Sequence, residues 1–177
     1  MSLRYAARTR PGTMVSTWLN SLVSGTVVSN AGYFAGGKNA AGAVVATVDR
    51  FAFPADSRTT LGTGLSSARR GVAAMANSGT AGYFGGGNTP GYVTTVDKFA
   101  FSDDSRTTLG TGLSAARRGL GGMADSGTAG YFGGGYESAA VTTVDKFAFA
   151  DDSRTTLGTG LSAANNQLAA MANSGTL

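Results

Sequence analysis

The sequence contains neither cysteine nor histidine among its 177 residues. Disulfide bonds, zinc sites built from cysteine and histidine, and catalytic triads that use histidine are therefore excluded for this chain. No stretch approaches the roughly 18 apolar residues of a membrane-spanning helix, and the first residues lack the apolar core of a signal peptide. We therefore expect neither membrane insertion nor export by the general secretory route.

Charged residues are also scarce, at 14% of the chain, and they are unevenly placed. No acidic residue precedes Asp49, so the net charge of +4 belongs to the segment before it, which holds Arg4, Arg8, Arg10 and Lys38. Such a segment either contacts a negative surface, of protein or nucleic acid, or is a solvated tail. The basic character thus belongs to an arm rather than to a domain, and nucleic acid is not an expected partner.

Glycine, by contrast, reaches 28 residues, roughly double its usual share. The stretch GTAGYFGGG occupies positions 79–87 and returns at 127–135, and AGYFAGG at 31–37 is a looser copy. Other landmarks recur at one constant spacing, as Phe51, Phe99 and Phe147 do. The sequence therefore predicts an arm over residues 1–30 and three repeats over residues 31–80, 81–128 and 129–177.

Each repeat carries the signals of four short strands. In the second copy these are TAGYFGG at 80–86, VTTVDKFAF at 93–101, RTTLGTGL at 106–113 and LGGMA at 120–124, with a turn cluster SDDS at 102–105. Four strands in this length are the content of one propeller blade. The predicted fold class is therefore all-β, with three four-stranded repeats. The glycines are expected at positive φ, and the tyrosines and phenylalanines before them are expected to pack between blades.

A family resemblance is carried by a glycine doublet followed by an aromatic residue. The doublet lies at 36–37, within 85–87 and within 133–135, and the aromatics are Phe51, Phe99 and Phe147. This layout resembles the kelch repeat, in which a second aromatic follows after six intervening residues. That position holds Arg58, Arg106 and Arg154 here, and we expect each arginine to lie over a neighbouring ring.

The resemblance implies a β-propeller that binds other molecules. Kelch relatives that are copper oxidases need histidine ligands, which this chain lacks. The GYFGGG repeats are also similar to those of tail-fibre-like phage proteins and adhesins, which implies a virion protein that attaches to a host.

Three repeats are too few for a propeller, which usually has 4–8 blades. Two copies would make six blades if each C-terminal strand completed the partner's first blade. A trimeric fibre is a second arrangement, and a strand supplied in cis by SGTVV at 24–28 is a third. We expect a homo-dimer or homo-trimer because every arrangement leaves edges that call for a partner. The change from AARRG to AANNQ at 163–167 is interpreted as a cap or, alternatively, as drift of the last copy.

The arm carries the only tryptophan of the chain. An apolar spacing typical of a short helix connects Val15, Trp18, Leu19 and Leu22, although a strand is an alternative. Tryptophan is a favoured interface anchor, so Trp18, Leu19 and Leu22, with the three arginines, are predicted to dock the protein onto a larger assembly. In the alternative interpretation, Trp18 plugs the end of its own propeller.

No catalytic, cofactor-binding or metal site is predicted. The pairs Asp103–Asp104 and Asp151–Asp152 are interpreted as turn residues rather than calcium ligands, because the first copy has Ala55 at the position before its aspartate. The serines have no base to activate them. Asp49, Asp97 and Asp145 each precede a basic residue in a strand, for which cross-strand pairing is a sufficient explanation.

The loop after the glycines differs between copies, whereas its flanks barely change. Binding residues concentrate on loops held by a rigid scaffold. The predicted recognition residues are therefore Lys38, Asn39, Asn88, Tyr92, Tyr136 and Glu137.

These features favour a non-enzymatic structural and adhesive protein, a virion or tail-fibre component that docks by its arm and presents the repeat loops to a cell-surface glycan or protein receptor. Two alternatives remain. One is an intracellular, cytoplasmic kelch-type module that recruits another protein. The other is a propeller lectin that binds glycans through tyrosine and arginine side chains between blades.

Overall fold

The computed structural model describes residues 30–173, and these residues form β-strands without any helix. The all-β class predicted from the sequence is confirmed. Three antiparallel sheets account for most strands. Sheet 1 consists of β1 (Ala31–Ala35), β2 (Val48–Ala52) and β3 (Ser57–Thr60).

Sheets 2 and 3 each have four strands in the order of the chain. Sheet 2 consists of β4 (Ala73–Asn77), β5 (Ala81–Gly85), β8 (Val96–Ala100) and β9 (Arg106–Thr108). Sheet 3 consists of β10 (Gly121–Asp125), β11 (Ala129–Gly133), β12 (Val144–Ala148) and β13 (Arg154–Thr156). A two-stranded hairpin of β6 (Asn88–Thr89) and β7 (Gly91–Tyr92) lies in the loop of sheet 2 that follows the glycines.

The repeat reproduces one pairing register in all three sheets. Tyr33 lies opposite Arg50 in sheet 1, and Tyr83 lies opposite Lys98 in sheet 2. The corresponding pair in sheet 3 is Tyr131 and Lys146. Because a slip by one residue would turn each strand's apolar side chains to the other face, this constant register keeps equivalent residues in equivalent places.

The sheets are offset from the sequence copies. The segment AAMAN at the end of the first copy forms β4, which pairs with β5 of the second copy, so that Met75 lies opposite Tyr83. Among the described residues, sheet 1 consequently has three strands. The same five residues recur at 169–173, where the structure assigns no strand. The prediction of a fourth strand is therefore wrong for the third copy. The physical reason is that such a strand pairs with the first AGYF strand of the next copy, as β4 pairs with β5, and no such strand follows among the described residues.

Two apolar clusters join neighbouring sheets. One cluster, between sheets 1 and 2, contains Val48, Leu65, Phe84 and Phe99. The other, between sheets 2 and 3, includes Met75, Tyr83, Phe132 and Phe147. Tyr83, Phe84 and Phe132 of the GYF motifs thus pack between sheets, as the sequence predicts, whereas Phe34 of the first motif is 69% exposed.

A glycine just after β5 lets the backbone lie close to the connection that carries Arg117. Gly86 has φ 66°, a left-handed conformation that side chains rarely adopt. A Cβ atom at this position would lie 2.5 Å from the carbonyl oxygen of Arg117 and 2.8 Å from Leu120. The predicted positive φ is also found at the equivalent Gly36 and Gly134.

The predicted anchor lies outside the described residues. This applies to Arg4, Arg8, Arg10, Trp18, Leu19 and Leu22, and to the segment at 24–28. Within residues 30–173, no helix is long and apolar enough to cross a bilayer.

Candidate recognition surface

Two buried ion pairs fix the chain between consecutive sheets. Arg69, on the connection from sheet 1 to sheet 2, places Nη2 2.9 Å from Asp97 Oδ2, and both side chains are fully buried. Arg117 and Asp145 repeat this contact between sheets 2 and 3, again at 2.9 Å and without exposure. Each arginine also donates to a main-chain carbonyl of the second strand of the sheet it joins.

Hydrogen bonds satisfy the remaining capacity of each buried carboxylate. Asp145 accepts from the main-chain N–H and the hydroxyl of Ser114 and from the hydroxyl of Thr156. Burial acts to raise the pKa of Asp145, but these hydrogen bonds and the charge of Arg117 hold the pKa below its usual value. Burial also lowers the pKa of Arg69. The pairs are structural supports, since both oxygens of the carboxylate are in use.

These pairs were not predicted from the sequence. Asp97 and Asp145 were expected to make cross-strand contacts, and Thr108 does make one, at 2.7 Å from Asp97. The arginine partners come instead from the ARRG connections, 28 residues earlier in the chain. One signal was available: the third copy replaces both arginines by asparagine, and no described sheet with a buried aspartate follows it.

The residue after each buried arginine is tied to the variable loop. Arg118 and Tyr136 exchange main-chain hydrogen bonds of 3.2 and 2.8 Å, and Arg70 and Asn88 exchange bonds of 3.1 and 2.8 Å. Gly87 N–H donates to the carbonyl of Arg117 at 2.9 Å, which holds the start of the loop against the connection. The buried pair therefore sets the position of the neighbouring exposed loop.

An aromatic and cationic cluster forms where two of these loops meet. The rings of Tyr92 and Tyr136 lie edge to face, with centroids 6.0 Å apart. The guanidinium carbon of Arg118 lies 5.5 Å from the centroid of Tyr92 and 5.7 Å from that of Tyr136. All three residues are half-buried. We call Tyr92, Arg118 and Tyr136 the Tyr–Arg cluster.

The structure brings some of the predicted recognition residues together. Asn88 pairs with Tyr92 in the β6–β7 hairpin, next to Tyr136, while Glu137 follows in the same loop as Tyr136. Lys38 and Asn39 lie on the loop of sheet 1, where the Asn39 side chain accepts a hydrogen bond from the N–H of Ala43. Asn39 thus closes a turn. Arg118 was not among the predicted residues, because its position does not vary between the first two copies.

The aspartate pairs form turns, as predicted. Asp103 Oδ1 accepts a hydrogen bond of 3.0 Å from the N–H of Ser105, and Asp151 makes the same bond with Ser153. The hydrogen bonds from Ser105 lower the pKa of Asp103. Among residues 30–173, no group of three histidine, cysteine, aspartate or glutamate side chains is placed to hold a metal ion.

The arginines that stand seven residues after Phe51, Phe99 and Phe147 bind oxygen atoms rather than rings. Arg58 donates to Thr60 at 2.9 Å and Arg154 donates to Thr156 at the same distance, while Arg106 donates to the carbonyl of Gly64 at 2.7 Å. The contacts of cations with rings are made instead by Lys98, over Tyr83, and by Arg118.

In comparisons with known proteins, no protein-family model matches the chain, and no curated protein matches it. The function is accordingly inferred from the contacts within the chain itself.

Proposed function

We propose that the chain is a non-enzymatic structural and adhesive protein whose sheets are blades of a kelch-like β-propeller. Its loops recognise a receptor on a host cell, and its arm attaches it to a larger particle such as a virion. The observation that carries this proposal is the Tyr–Arg cluster, held at the surface by two buried ion pairs.

The blade arrangement is supported by a repeated step from sheet to sheet. Each four-stranded sheet is a simple meander, as a propeller blade is. Tyr33 of sheet 1 stacks on Phe101 of sheet 2 with centroids 5.3 Å apart, and Tyr83 stacks on Phe149 of sheet 3 at 5.4 Å. A constant step of this kind generates a regular array.

The recognition role is supported by the chemistry of the Tyr–Arg cluster. Tyrosine and arginine are enriched among the residues that dominate binding energy at interfaces, since each offers a large apolar face and a polar end. Tyr136 replaces the asparagine and lysine found at the same position of the other copies, so the cluster differs from the repeated framework. Variable residues on loops that a rigid scaffold positions are typical of binding sites.

The particle-bound location is supported by the sequence of the arm alone. The three arginines and the single tryptophan all lie between Arg4 and Trp18. An apolar anchor with flanking positive charge fits a docking segment on a negative protein surface.

Adsorption to cells tests the recognition proposal. We would label the full chain fluorescently and measure its retention on a panel of bacterial cells and on a glycan array. We expect retention, and we expect the double variant Tyr92→Ala, Tyr136→Ala to lose most of it, on the order of tenfold or more for two central aromatic contacts. Binding to the glycan array alone would favour the lectin alternative.

Ser138→Ala provides the matched control, since Ser138 is exposed in the same loop. Equal retention of the double variant and the control would show that the Tyr–Arg cluster is not the binding surface.

A further inference from the structure

The described part of the chain begins with an incomplete sheet and ends with an unused strand sequence. The first strand is β4 in sheet 2 and β10 in sheet 3, and we call this position the inner strand. Sheet 1 lacks an inner strand among the described residues. We propose that two copies of the chain complete each other, with residues 169–173 of each copy forming the inner strand of sheet 1 in the other. This inference rests on the proposed arrangement of the sheets as consecutive blades.

The sequences at the two ends match a pairing that already exists within the chain. Residues 169–173 read AAMAN, identical to β4, and β1 reads AGYFA where β5 reads AGYFG. The register of β4 with β5 then places Ala169 opposite the second copy's Ala35 and Met171 opposite the second copy's Tyr33.

An open cleft lies where this strand would enter. It has a volume of about 270 Å³ and is lined on one side by β1, through Gly32 and Tyr33, and on the other by β4, through Ala74 and Met75. Within the chain, β4 itself pairs with β5 and packs against sheet 3, so that a Cβ atom at Gly130 would collide with the side chain of Met75. The missing strand of sheet 1 would make the same two contacts, with β1 and with sheet 2.

The C-terminal segment already lies beside sheet 3 in the corresponding place. A Cβ atom at Gly121 would be 3.0 Å from the Cβ of Ala170. Next to it, Met123, Tyr131 and Ala172 line a second cleft of about 250 Å³. Met171 is 90% exposed, whereas the equivalent Met75 is 5% exposed. The segment therefore lies where the inner strand of a further sheet would lie, and residues 30–173 contain no other strand of that sheet.

The aromatic residues of sheet 1 supply the matching surface. Phe34 is 69% exposed, whereas the equivalent Phe84 and Phe132 are buried. Phe132 packs on Gly85 of the preceding sheet, where a Cβ atom would lie 2.7 Å from its ring. By the same step, Phe34 of one copy packs on Gly133 of the other.

Polar contacts extend the match to the outer strands. The Tyr33 hydroxyl donates to Asp104 of the next sheet at 2.7 Å, and the Tyr83 hydroxyl donates to Asp152 at 2.8 Å. Repeating the step joins Tyr131 to the second copy's Asp56. Asp56 already has the left-handed backbone of its equivalents, with φ 50° beside 57° at Asp104 and at Asp152. The phenyl ring of Phe53, 54% exposed, would stack on Tyr131 as Phe101 stacks on Tyr33.

The junction between copies differs from the internal junctions in one respect. Asn165 replaces the buried arginine, so it does not form the ion pair with the second copy's Asp49. Asp49 is instead held within its own sheet by Arg58 at 3.3 Å and by the hydroxyl of Thr60 at 2.6 Å. Each carboxylate thus keeps a partner, and the chain avoids an unpaired buried arginine before assembly.

Two copies are the number that closes the ring. The contact is head to tail, and such contacts form rings when the rotation closes. Two chains with the three described sheets each would make six blades, within the usual range of 4–8, whereas three blades fall below this range and nine exceed it. The occupant that competes for the cleft is the chain's own segment before residue 30.

Light scattering on the purified full chain tests the stoichiometry. The expected mass is twice the chain mass of 17.7 kDa. A mass of one chain, or any other multiple, would overturn the proposal.

Engineered cysteines test the register, and the absence of native cysteine makes them the only thiols. Chains with Ala35→Cys are refolded together with size-tagged chains carrying Ala169→Cys and oxidised gently. Opposed residues of antiparallel strands bring their Cβ atoms near the distance a disulfide needs, so we expect an abundant mixed cross-link.

Chains with Ala170→Cys are the matched control for this cross-link. A shift of one residue points the thiol to the other face, and we expect roughly tenfold less mixed product. Equal yields from the two pairs would refute the strand register. Loop variants that lose cell binding are expected to keep the mass of two chains and the mixed cross-link. A failure of the recognition proposal can therefore be distinguished from a failure of the strand exchange.

Discussion

The phenol of Tyr33 and the carboxylate of Asp104 are 71 residues apart in the sequence and form a hydrogen bond of 2.7 Å between sheets 1 and 2. Tyr83 and Asp152 repeat this bond between sheets 2 and 3 at 2.8 Å. A basic residue accompanies each pair, Arg50 in the first case and Lys98 in the second. This recurring polar contact joins the sheets in addition to their apolar clusters and the buried arginine–aspartate pairs.

Removing one buried arginine tests the support between sheets. Arg117→Met removes the fully buried counter-charge of Asp145 and leaves only the partly exposed Arg154, 3.6 Å away. We expect the free energy of unfolding to fall by about 3 kcal/mol, the lower end of the cost of breaking a buried ion pair. Urea denaturation followed by circular dichroism measures this change. Arg118→Met is the control, because Arg118 is half-buried at the surface, and its loss is expected to be about 1 kcal/mol or less. Similar losses for both variants would contradict a structural role of the ion pair.

The pH dependence of stability reports on Tyr83. Burial and the hydrogen bond to Asp152 raise the pKa of Tyr83 from 10.0 to about 12. The folded state therefore holds this proton more tightly than the unfolded state, so its contribution is complete below pH 10 and is lost as the pH rises from 10 to 12. We expect the urea midpoint to fall more steeply across this range in the native sequence than in Tyr83→Phe. Parallel curves for the two proteins would disprove the assignment.

Much of the architecture can be predicted from the sequence because the same strand and turn patterns occur in three copies. The AGYF strands, the glycine doublets and the aspartate turns are local patterns, and the structure contains all of them. The buried positions of Arg69 and Arg117 do not follow from local pattern, since arginine is usually exposed unless a distant partner neutralises it. The Tyr–Arg cluster also joins three segments that are far apart in the sequence, so only the fold brings Tyr92, Arg118 and Tyr136 together.

Adding one methyl group at Gly86 tests how closely the backbone after β5 lies to the Arg117 carbonyl. Gly86→Ala combines a left-handed backbone with a clash against the Arg117 carbonyl, and we expect a loss of at least about 1–2 kcal/mol in the free energy of unfolding. Gly110→Ala is the matched control, because a Cβ atom there meets nothing within 4 Å. Thermal unfolding of both variants decides the point. A stable Gly86→Ala protein would mean that the sheets have room to move apart.

One substitution is expected to stabilise the protein. Gln167 has φ 55°, whereas its equivalents Gly71 and Gly119 have φ 65° and 64°. Gln167→Gly removes the cost of a side chain in this conformation, and we expect a gain of about 0.5–1 kcal/mol, reduced by the greater freedom of glycine in the unfolded chain. Asn166→Gly, one residue earlier, serves as the comparison and should give no gain. Differential scanning calorimetry measures both, and an unchanged Gln167→Gly protein would argue against strain at this position.

The repetition of one stacking contact between consecutive sheets has a consequence for how the gene can change in length. Both described junctions between sheets make the same stacking contact of a tyrosine with a phenylalanine. Recombination between two copies that inserts or deletes a whole unit therefore keeps this stacking contact at the joint. A lineage of such genes can change the size of its product in discrete increments while the stacking of tyrosine on phenylalanine is kept.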